Sequence, residues 1–191
     1  MGGKTLSVIT APPEIKLITG EELLAMGDIG PCELIDGRIV PMAPTGGEHG
    51  ILESELARHL GNFVADRDLG WVMVGEVGLY TRRDPDRVRG ADVVFISKAR
   101  LPELPKGFLE AAPELVVEIM SPDDRWQDVQ QKLKEYFSIG VQWVWIVEPE
   151  NRAVLVYRSR TEMQEFGEGD TVNGEGVLEG FRLPVASLLT E

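Results

Sequence analysis

Two acidic residues lie in segments that otherwise have the character of buried strands. Asp92 belongs to "ADVVFIS" and Glu118 to "PELVVEIM". Side chains alternate between the two faces of a strand, and apolar residues occupy both faces of each segment. A buried carboxylate is costly unless it is protonated, paired with a base or bound to a cation. The two acids therefore predict a site in which a divalent cation offsets their repulsion.

The residue types favour a hard cation, although the two acids could also be explained without a metal ion. The chain has one cysteine, Cys32, and no His-x-x-x-His pattern, so Mg²⁺ or Mn²⁺ is favoured over Zn²⁺. In the alternative, Asp92 lies near a strand end in solvent and Glu118 forms a salt bridge with an arginine such as Arg125. Glu114 follows a proline and is expected to be exposed.

A lysine in the next segment has the right chemistry to assist hydrolysis. The pattern predicts a helix that starts at Ser121 as N-cap and runs to about Ser138. Its margin carries Lys132 and Arg125, which can both reach the sheet. A lysine near a metal-bound water orients that water and stabilises negative charge; alternatively, it only covers apolar surface with its stem. The predicted buried stripe consists of Trp126, Val129, Leu133, Tyr136 and Phe137.

The surrounding elements predict an α/β domain. "TGEEL" is a capping box that opens a short helix, and "CELIDGRIVPM" is a hairpin with its turn at Asp36-Gly37. A helix over about 48–66 precedes three strands, and the strand–helix–strand unit over 114–147 requires a parallel strand pair. "VQWVWIVEP" pairs with "AVLVYR", and a last hairpin is predicted around Asn173-Gly174. We expect a mixed sheet with helices packed against it.

Length and composition limit the organisation of the chain. With 191 residues, 43% of them hydrophobic, it is expected to form a single domain over 1–191 with a loosely ordered segment over 1–16. No signal-peptide core or run of eighteen apolar residues occurs, so a cytoplasmic protein outside the membrane is expected. The single cysteine is compatible with a reducing compartment.

The net charge of the chain, taken alone, argues against binding of DNA or RNA. The formal net charge is −13, whereas affinity for phosphates comes mostly from Lys and Arg. A local positive edge is predicted, with an ordinary solvated loop as the equal alternative, for Arg82, Arg83, Arg87 and Arg89. Trp143 and Trp145 share a strand face that would suit a homodimer, although this spacing is more typical of a core.

Several motifs together resemble a known family. "CELIDGRIVPMAP", "GEHG", "GADVVFIS", "PELVVEIMSPDDR", "KLKEYFSIGVQWVWIVEP" and "RAVLVYR" are similar, in this order, to the Uma-type family of predicted bacterial endonucleases. That family falls within the PD-(D/E)XK, restriction-endonuclease-like superfamily, and the resemblance covers about 33–189. It implies a restriction-endonuclease-like αβββαβ core with extra hairpins at both ends. It also implies Mg²⁺ or Mn²⁺ held by Asp92 and Glu118, and DNA hydrolysis by a metal-activated water assisted by Lys132.

The resemblance also implies further site residues. An acid from the first core helix often joins such sites, which points to Glu48 or Glu53. His49 of "GEHG" would line the same cleft, with a histidine at the helix start that has no ligand role as the open alternative. The superfamily's lysine two residues after the glutamate is missing, since Met120 stands there, so activity requires Lys132 to replace it. If Lys132 points to solvent, the site binds metal without cutting. The alternatives are an inactive binding or dimerisation module and hydrolysis of a small phosphorylated metabolite.

Overall fold

A computed structural model describes residues 16–122 and 124–189 of the chain. The expectation of loose order over 1–16 concerns residues that, apart from Lys16, lie outside this part. In the described part, the helices are α1 (Gly20–Ala25), α2 (Gly47–Asp66) and α3 (Trp126–Ile139), with 3₁₀ turns at Gly176–Leu178 and Val185–Ser187. The strands are β1 (Cys32–Ile35), β2 (Arg38–Pro41), β3 (Gly70–Arg82), β4 (Arg87–Ser97), β5 (Leu115–Ile119), β6 (Trp143–Glu148), β7 (Ala153–Tyr157), β8 (Met163–Gly167), β9 (Thr171–Asn173) and β10 (Arg182–Pro184).

One large mixed sheet organises the chain. Its strand order is β2-β1-β4-β5-β6-β7-β8, and β3 also pairs with β4. β5 and β6 run parallel and are joined by α3, whereas the other pairs in this sheet are antiparallel. The sequence α2-β3-β4-β5-α3-β6 confirms the predicted αβββαβ core. Among the described helices, none is both long and apolar enough to cross a membrane.

Helices cover both faces of this sheet. α2 repeats apolar residues at helical spacing and buries Leu52, Leu56, Leu60 and Val64 against the face of Val93, Phe95, Val117 and Ile119. α3 places Val129, Leu133 and Tyr136 against the alternate residues Val94 and Val116. The central strands β4 and β5 are therefore buried on both sides. An acidic side chain on either strand points towards α2 or α3.

Some local predictions are confirmed and others are wrong. The Thr19–Glu22 capping box is present, and Asp36 (φ 54°) with Gly37 (φ 72°) forms the turn of the β1–β2 hairpin. The predicted last hairpin is present as the antiparallel pair of β9 and β10, but a longer connection with a 3₁₀ turn joins these strands, so the tight turn predicted at Asn173-Gly174 is wrong. Gly174 instead permits a close approach, since a Cβ there would lie 2.2 Å from the Leu178 carbonyl oxygen.

The start of α3 also differs from the prediction. α3 begins at Trp126 with Arg125 as its N-cap, because Ser121 closes a separate turn by donating its backbone N–H to Asp124 Oδ2 at 2.7 Å. Trp126 is 41% exposed and therefore lies outside the buried stripe predicted for it. Glu114 was expected to be exposed but is buried, because Ser97 donates to it through its backbone N–H and its hydroxyl.

Candidate active site

Asp92 lies where two central strands separate. The pairing of β4 with β5 ends at Val93 opposite Val117, and Asp92 is the next residue along β4. The side chain is buried, and Asp92 Oδ2 accepts a hydrogen bond of 2.6 Å from the backbone N–H of Ile119. This bond fixes the carboxylate in the gap between the strands and leaves Oδ1 for another partner. The alternative in which Asp92 is solvated is therefore wrong.

Glu118 is the buried acid on the neighbouring strand. Its Oε2 lies 2.6 Å from Lys132 Nζ, and Tyr136 donates its hydroxyl hydrogen to Oε1. Burial raises the pKa of the Glu118 carboxyl to about 7; the charge of Asp92 adds to this, whereas Lys132 and the hydrogen bonds oppose it. Glu118 is thus a carboxylate whose charge depends on its contacts with α3.

Lys132 points towards the sheet and contacts Glu118 directly. Burial by itself would lower the pKa of Lys132, but the carboxylates of Glu118 and Glu33 raise it. The ammonium group is therefore charged. Arg125, the other cation predicted on this margin, is exposed at the start of α3, and the pair that it was expected to form with Glu118 is made by Lys132 instead.

Glu33 joins the site although the sequence pattern did not single it out. Its Oε2 accepts a 2.7 Å hydrogen bond from Arg89 Nη1, and its Oε1 accepts one of 3.2 Å from the backbone N–H of Gly90. Oε1 also lies 3.9 Å from Lys132 Nζ. The one available signal was an acid inside the short apolar strand "CELI". Glu33 links β1, β4 and α3 around the lysine.

His49 lies beside Asp92 without a hydrogen-bond partner. Its Nε2 is 3.3 Å from Asp92 Oδ1, a distance suited to a charge interaction but without hydrogen-bond alignment. Both ring nitrogens are buried and unpaired among the described residues. The Asp92 carboxylate raises the pKa of His49, although burial opposes this. The structure thus brings His49 to the predicted cleft.

The two acids proposed from α2 differ in position. Glu48 is exposed in the first turn of the helix. Glu53 reaches the sheet, where its Oε1 accepts a hydrogen bond of 2.5 Å from the backbone N–H of Gly75. Glu76, the neighbour of Gly75 on β3, was not predicted to belong to the site. Burial raises the pKa of Glu76, and the charge of Asp92 raises it further. Glu76 is therefore a partly buried acid whose pKa responds to the charge of Asp92.

The four arginines of the predicted positive edge are all paired with acids. β3 extends to Arg82 and β4 starts at Arg87, so Arg87 and Arg89 lie on a strand and not in a loop. Their side chains are only 13% and 11% exposed, and both bind Glu135 of α3. Arg82 pairs with Asp36, and Arg83 pairs with Glu21, Asp86 and Glu110. The prediction of a free positive edge is wrong, because these cations neutralise carboxylates within the protein.

The donor types suit a hard divalent cation, whereas their present arrangement does not form a coordination shell. Asp92 and Glu118 supply buried carboxylates at the strand gap, and His49 supplies an unpaired nitrogen. In residues 16–122 and 124–189, however, no three His, Cys, Asp or Glu side chains are arranged to hold a metal ion. Metal binding at this site would therefore require side-chain movement. Glu118 and Lys132 line a small pocket together with Met120, Asp124 and Asp128.

Comparison with solved structures identifies the fold class. A crystal structure from Anabaena variabilis, titled "a putative nuclease belonging to DUF820", matches with a TM-score of 0.76 and 24% sequence identity. The match covers 90% of this chain and 97% of that chain. The chain therefore has the α/β fold of that protein.

Comparison with family models identifies the family. The model Uma2, described as "Putative restriction endonuclease", matches residues 21–186, and the chain belongs to this family. The predicted resemblance is thus confirmed. Comparison with curated proteins gave no significant match.

Proposed function

We propose that the chain is a metal-dependent endonuclease that hydrolyses phosphodiester bonds of DNA. Membership of the Uma2 family supports a nuclease function in general. The observation that carries the specific proposal is the contact between Lys132 Nζ and Glu118 Oε2, at 2.6 Å. Met120 stands where a lysine two residues after Glu118 was expected, and this contact places an ammonium group beside Glu118 from α3.

In this proposal, each residue around the strand gap has a separate task. Asp92 and Glu118 would hold Mg²⁺ or Mn²⁺, which supplies an activated water and neutralises charge on the scissile phosphate. The ammonium group of Lys132 orients the attacking water or stabilises the negative charge that develops on the phosphate. Glu118 and Glu33 keep Lys132 protonated. Tyr136 fixes the second oxygen of Glu118.

DNA binding by this protein must rely on few phosphate contacts. The net charge is −13, and the arginines that would have formed a positive edge are paired internally. Because phosphate neutralisation supplies most non-specific affinity, weak binding of undamaged duplex with a shallow dependence on salt follows. A cytoplasmic location belongs to the same proposal, as does a homodimer formed through a surface other than Trp143 and Trp145.

The tryptophan face suggested for an inactive binding or dimerisation module is not available at the surface of the protein. Trp145 is 3% exposed and stacks on Phe181 with ring centroids 6.2 Å apart. Trp143 is partly buried against the same core. Because both tryptophans pack within the domain, neither offers the exposed aromatic face on which that alternative depended.

A cleavage assay with matched lysine variants tests the proposal. Purified protein is incubated with supercoiled plasmid and Mg²⁺ or Mn²⁺, and nicked and linear products are quantified. Lys132→Ala is expected to reduce the cleavage rate by at least roughly 100-fold, whereas Lys134→Ala, exposed on the same helix, is expected to leave it unchanged. Glu118→Gln should abolish cleavage. Cleavage that persists in Glu118→Gln or in excess EDTA would refute a metal-dependent mechanism at this site.

A further inference from the structure

Trp126 is an exposed aromatic residue next to the proposed active site. It is the first residue of α3 and is 41% exposed, although the helical pattern predicted it to be buried. An exposed indole offers a large, flat, apolar face to a ligand. Trp126 lines a pocket, here called the Trp126 pocket, beside the one that Glu118 and Lys132 line.

The two pockets have residues in common. Met120 and Asp124 line the pocket of Glu118 and Lys132, and they also line the Trp126 pocket. Met120 stands where a lysine was expected, so an apolar side chain lies at the boundary between the two spaces. A DNA strand with a phosphate beside Lys132 would therefore place its adjoining nucleotide at the Trp126 pocket.

The two pockets differ in size. The pocket of Glu118 and Lys132 has a volume of about 40 Å³, little more than the roughly 30 Å³ that one water molecule occupies in the liquid. The Trp126 pocket has a volume of about 220 Å³, which is below the roughly 300–1,000 Å³ of sites for drug-sized ligands. The smaller pocket has no room for a nucleobase, whereas the Trp126 pocket has room for one planar ring system.

A buried carboxylate is available to a ligand in the Trp126 pocket. Glu148, the last residue of β6, lines this pocket and is 8% exposed. It lies on the same face of β6 as Val144 and Ile146, the face that α3 covers. In residues 16–122 and 124–189, no group donates a hydrogen bond to its side chain. Because buried acceptors normally have a partner, this carboxylate points to a ligand that donates.

The charges of the Trp126 pocket suit a neutral base better than a phosphate. Its described lining includes the acids Asp124, Glu148 and Glu150 but no lysine or arginine, so a phosphate would be repelled. The exocyclic amino group of cytosine or adenine can donate to a carboxylate, whereas thymine has an oxygen at that position. Asn151 also lines the pocket, and its amide can donate to the ring nitrogen beside that amino group.

We propose that Trp126 stacks on an unpaired base of the DNA substrate and that Glu148 selects a base with an exocyclic amino group. This inference rests on the proposed endonuclease function and deepens it by naming the substrate class, a DNA strand with an unpaired cytosine or adenine next to the scissile phosphate. A base can enter the pocket only when it is outside a duplex stack. Stacking on an aromatic ring does not depend on phosphate contacts, which fits a net charge of −13.

Binding of short single strands in EDTA and low salt tests the role of Trp126. Fluorescence anisotropy compares labelled strands of cytosine nucleotides with strands of abasic units that carry the same number of phosphates. Wild type should bind the cytosine strand roughly fivefold or more tightly than the abasic strand. Trp126→Ala should lose this difference and Trp126→Phe should keep most of it. Met163→Ala, which truncates an apolar residue 46% exposed on β8, should keep all of it.

The choice of base tests the role of Glu148. Wild type should bind the cytosine strand roughly fivefold more tightly than a thymine strand. Glu148→Gln should lose this preference, because an amide can donate to the thymine oxygen as well as accept. Glu165→Gln removes the same charge from an exposed position on β8 and should keep the preference. Circular dichroism and thermal unfolding establish that the variants are folded.

The plasmid cleavage assay separates failure of this inference from failure of the proposed function. If wild type cuts plasmid with Mg²⁺ or Mn²⁺ but binds the cytosine and abasic strands equally, or if Trp126→Ala binds the cytosine strand like wild type, the inference is overturned while the proposed function stands. An unchanged preference for cytosine in Glu148→Gln would overturn the selection by Glu148. If the strands bind as expected but wild type cuts no DNA, the proposed function is overturned and the base pocket stands.

Discussion

Replacing Lys132 with methionine should destabilise the protein by an amount that grows with pH. The substitution keeps the apolar stem and removes the ammonium group that lies 2.6 Å from Glu118 Oε2. The side chains of Lys132 and Glu118 are 23% and 10% exposed. Once the ammonium group is removed, water therefore solvates the charged Glu118 carboxylate poorly. Removal of one partner of a buried ion pair costs about 3–5 kcal/mol. We expect a loss of about 3 kcal/mol in the free energy of unfolding at alkaline pH.

The pH dependence follows from the protonation of Glu118. In the wild-type protein its pKa is raised from 4.5 to about 7, so the folded state binds this proton more tightly than the unfolded state. Its contribution to stability is therefore fully present below pH 4.5, falls as the pH rises to about 7 and is constant above that. Without Lys132 the pKa rises further, and the fall continues at about 1.4 kcal/mol per pH unit. The loss of stability in the variant therefore grows as the pH rises above about 7, until the pH passes the higher pKa of Glu118 in the variant.

Urea unfolding at several pH values, in EDTA, measures this loss. Lys134→Met is the matched control, because Lys134 is exposed on the same helix. The double variant Lys132→Met/Glu118→Gln removes both charges and should regain most of the stability at alkaline pH. If Lys132→Met shows the same dependence on pH as Lys134→Met, then Lys132 does not compensate the charge of Glu118, and the reasoning is refuted.

Three further substitutions test other contacts by the same unfolding measurement. Tyr136→Phe removes the hydroxyl that donates to Glu118 and should cost about 1 kcal/mol. Arg89→Met removes a cation that neutralises the buried carboxylate of Glu135, and it should lower the free energy of unfolding by about 3 kcal/mol. Leu56→Ala opens a cavity at a fully buried position of α2 and should cost about 2–5 kcal/mol.

Each of these variants has a control of the same residue type. Tyr157→Phe changes a half-buried tyrosine away from the site, Arg160→Met an exposed arginine, and Leu24→Ala a leucine that is 43% exposed. Surface changes of this kind usually alter stability by less than about 0.5 kcal/mol. Equal losses in Arg89→Met and Arg160→Met would contradict the assignment of a buried ion pair, and equal losses in the leucine variants would contradict the position of α2 in the core.

The elements of the fold and the two central acids could be predicted from the sequence. Alternating and helical apolar patterns located the strands around Asp92 and Glu118 and the helix that became α2. The crossover between β5 and β6 was predicted to be parallel, and it is. The turn at Asp36-Gly37 was also correct. These features depend on residues that are close in sequence, so a short window contains the information needed.

The partners of the charged side chains were decided only by the tertiary structure. A sequence pattern placed Lys132 and Arg125 on one helix margin, but only the packing of α3 determined that Lys132 reaches Glu118. The register shift in β3 likewise put Glu76 opposite Asp92, although an isolated strand pattern contains no bulge. A charged group pairs with whatever the packing of distant segments brings within a few ångströms, and that distance depends on strand register and helix contacts across the whole chain.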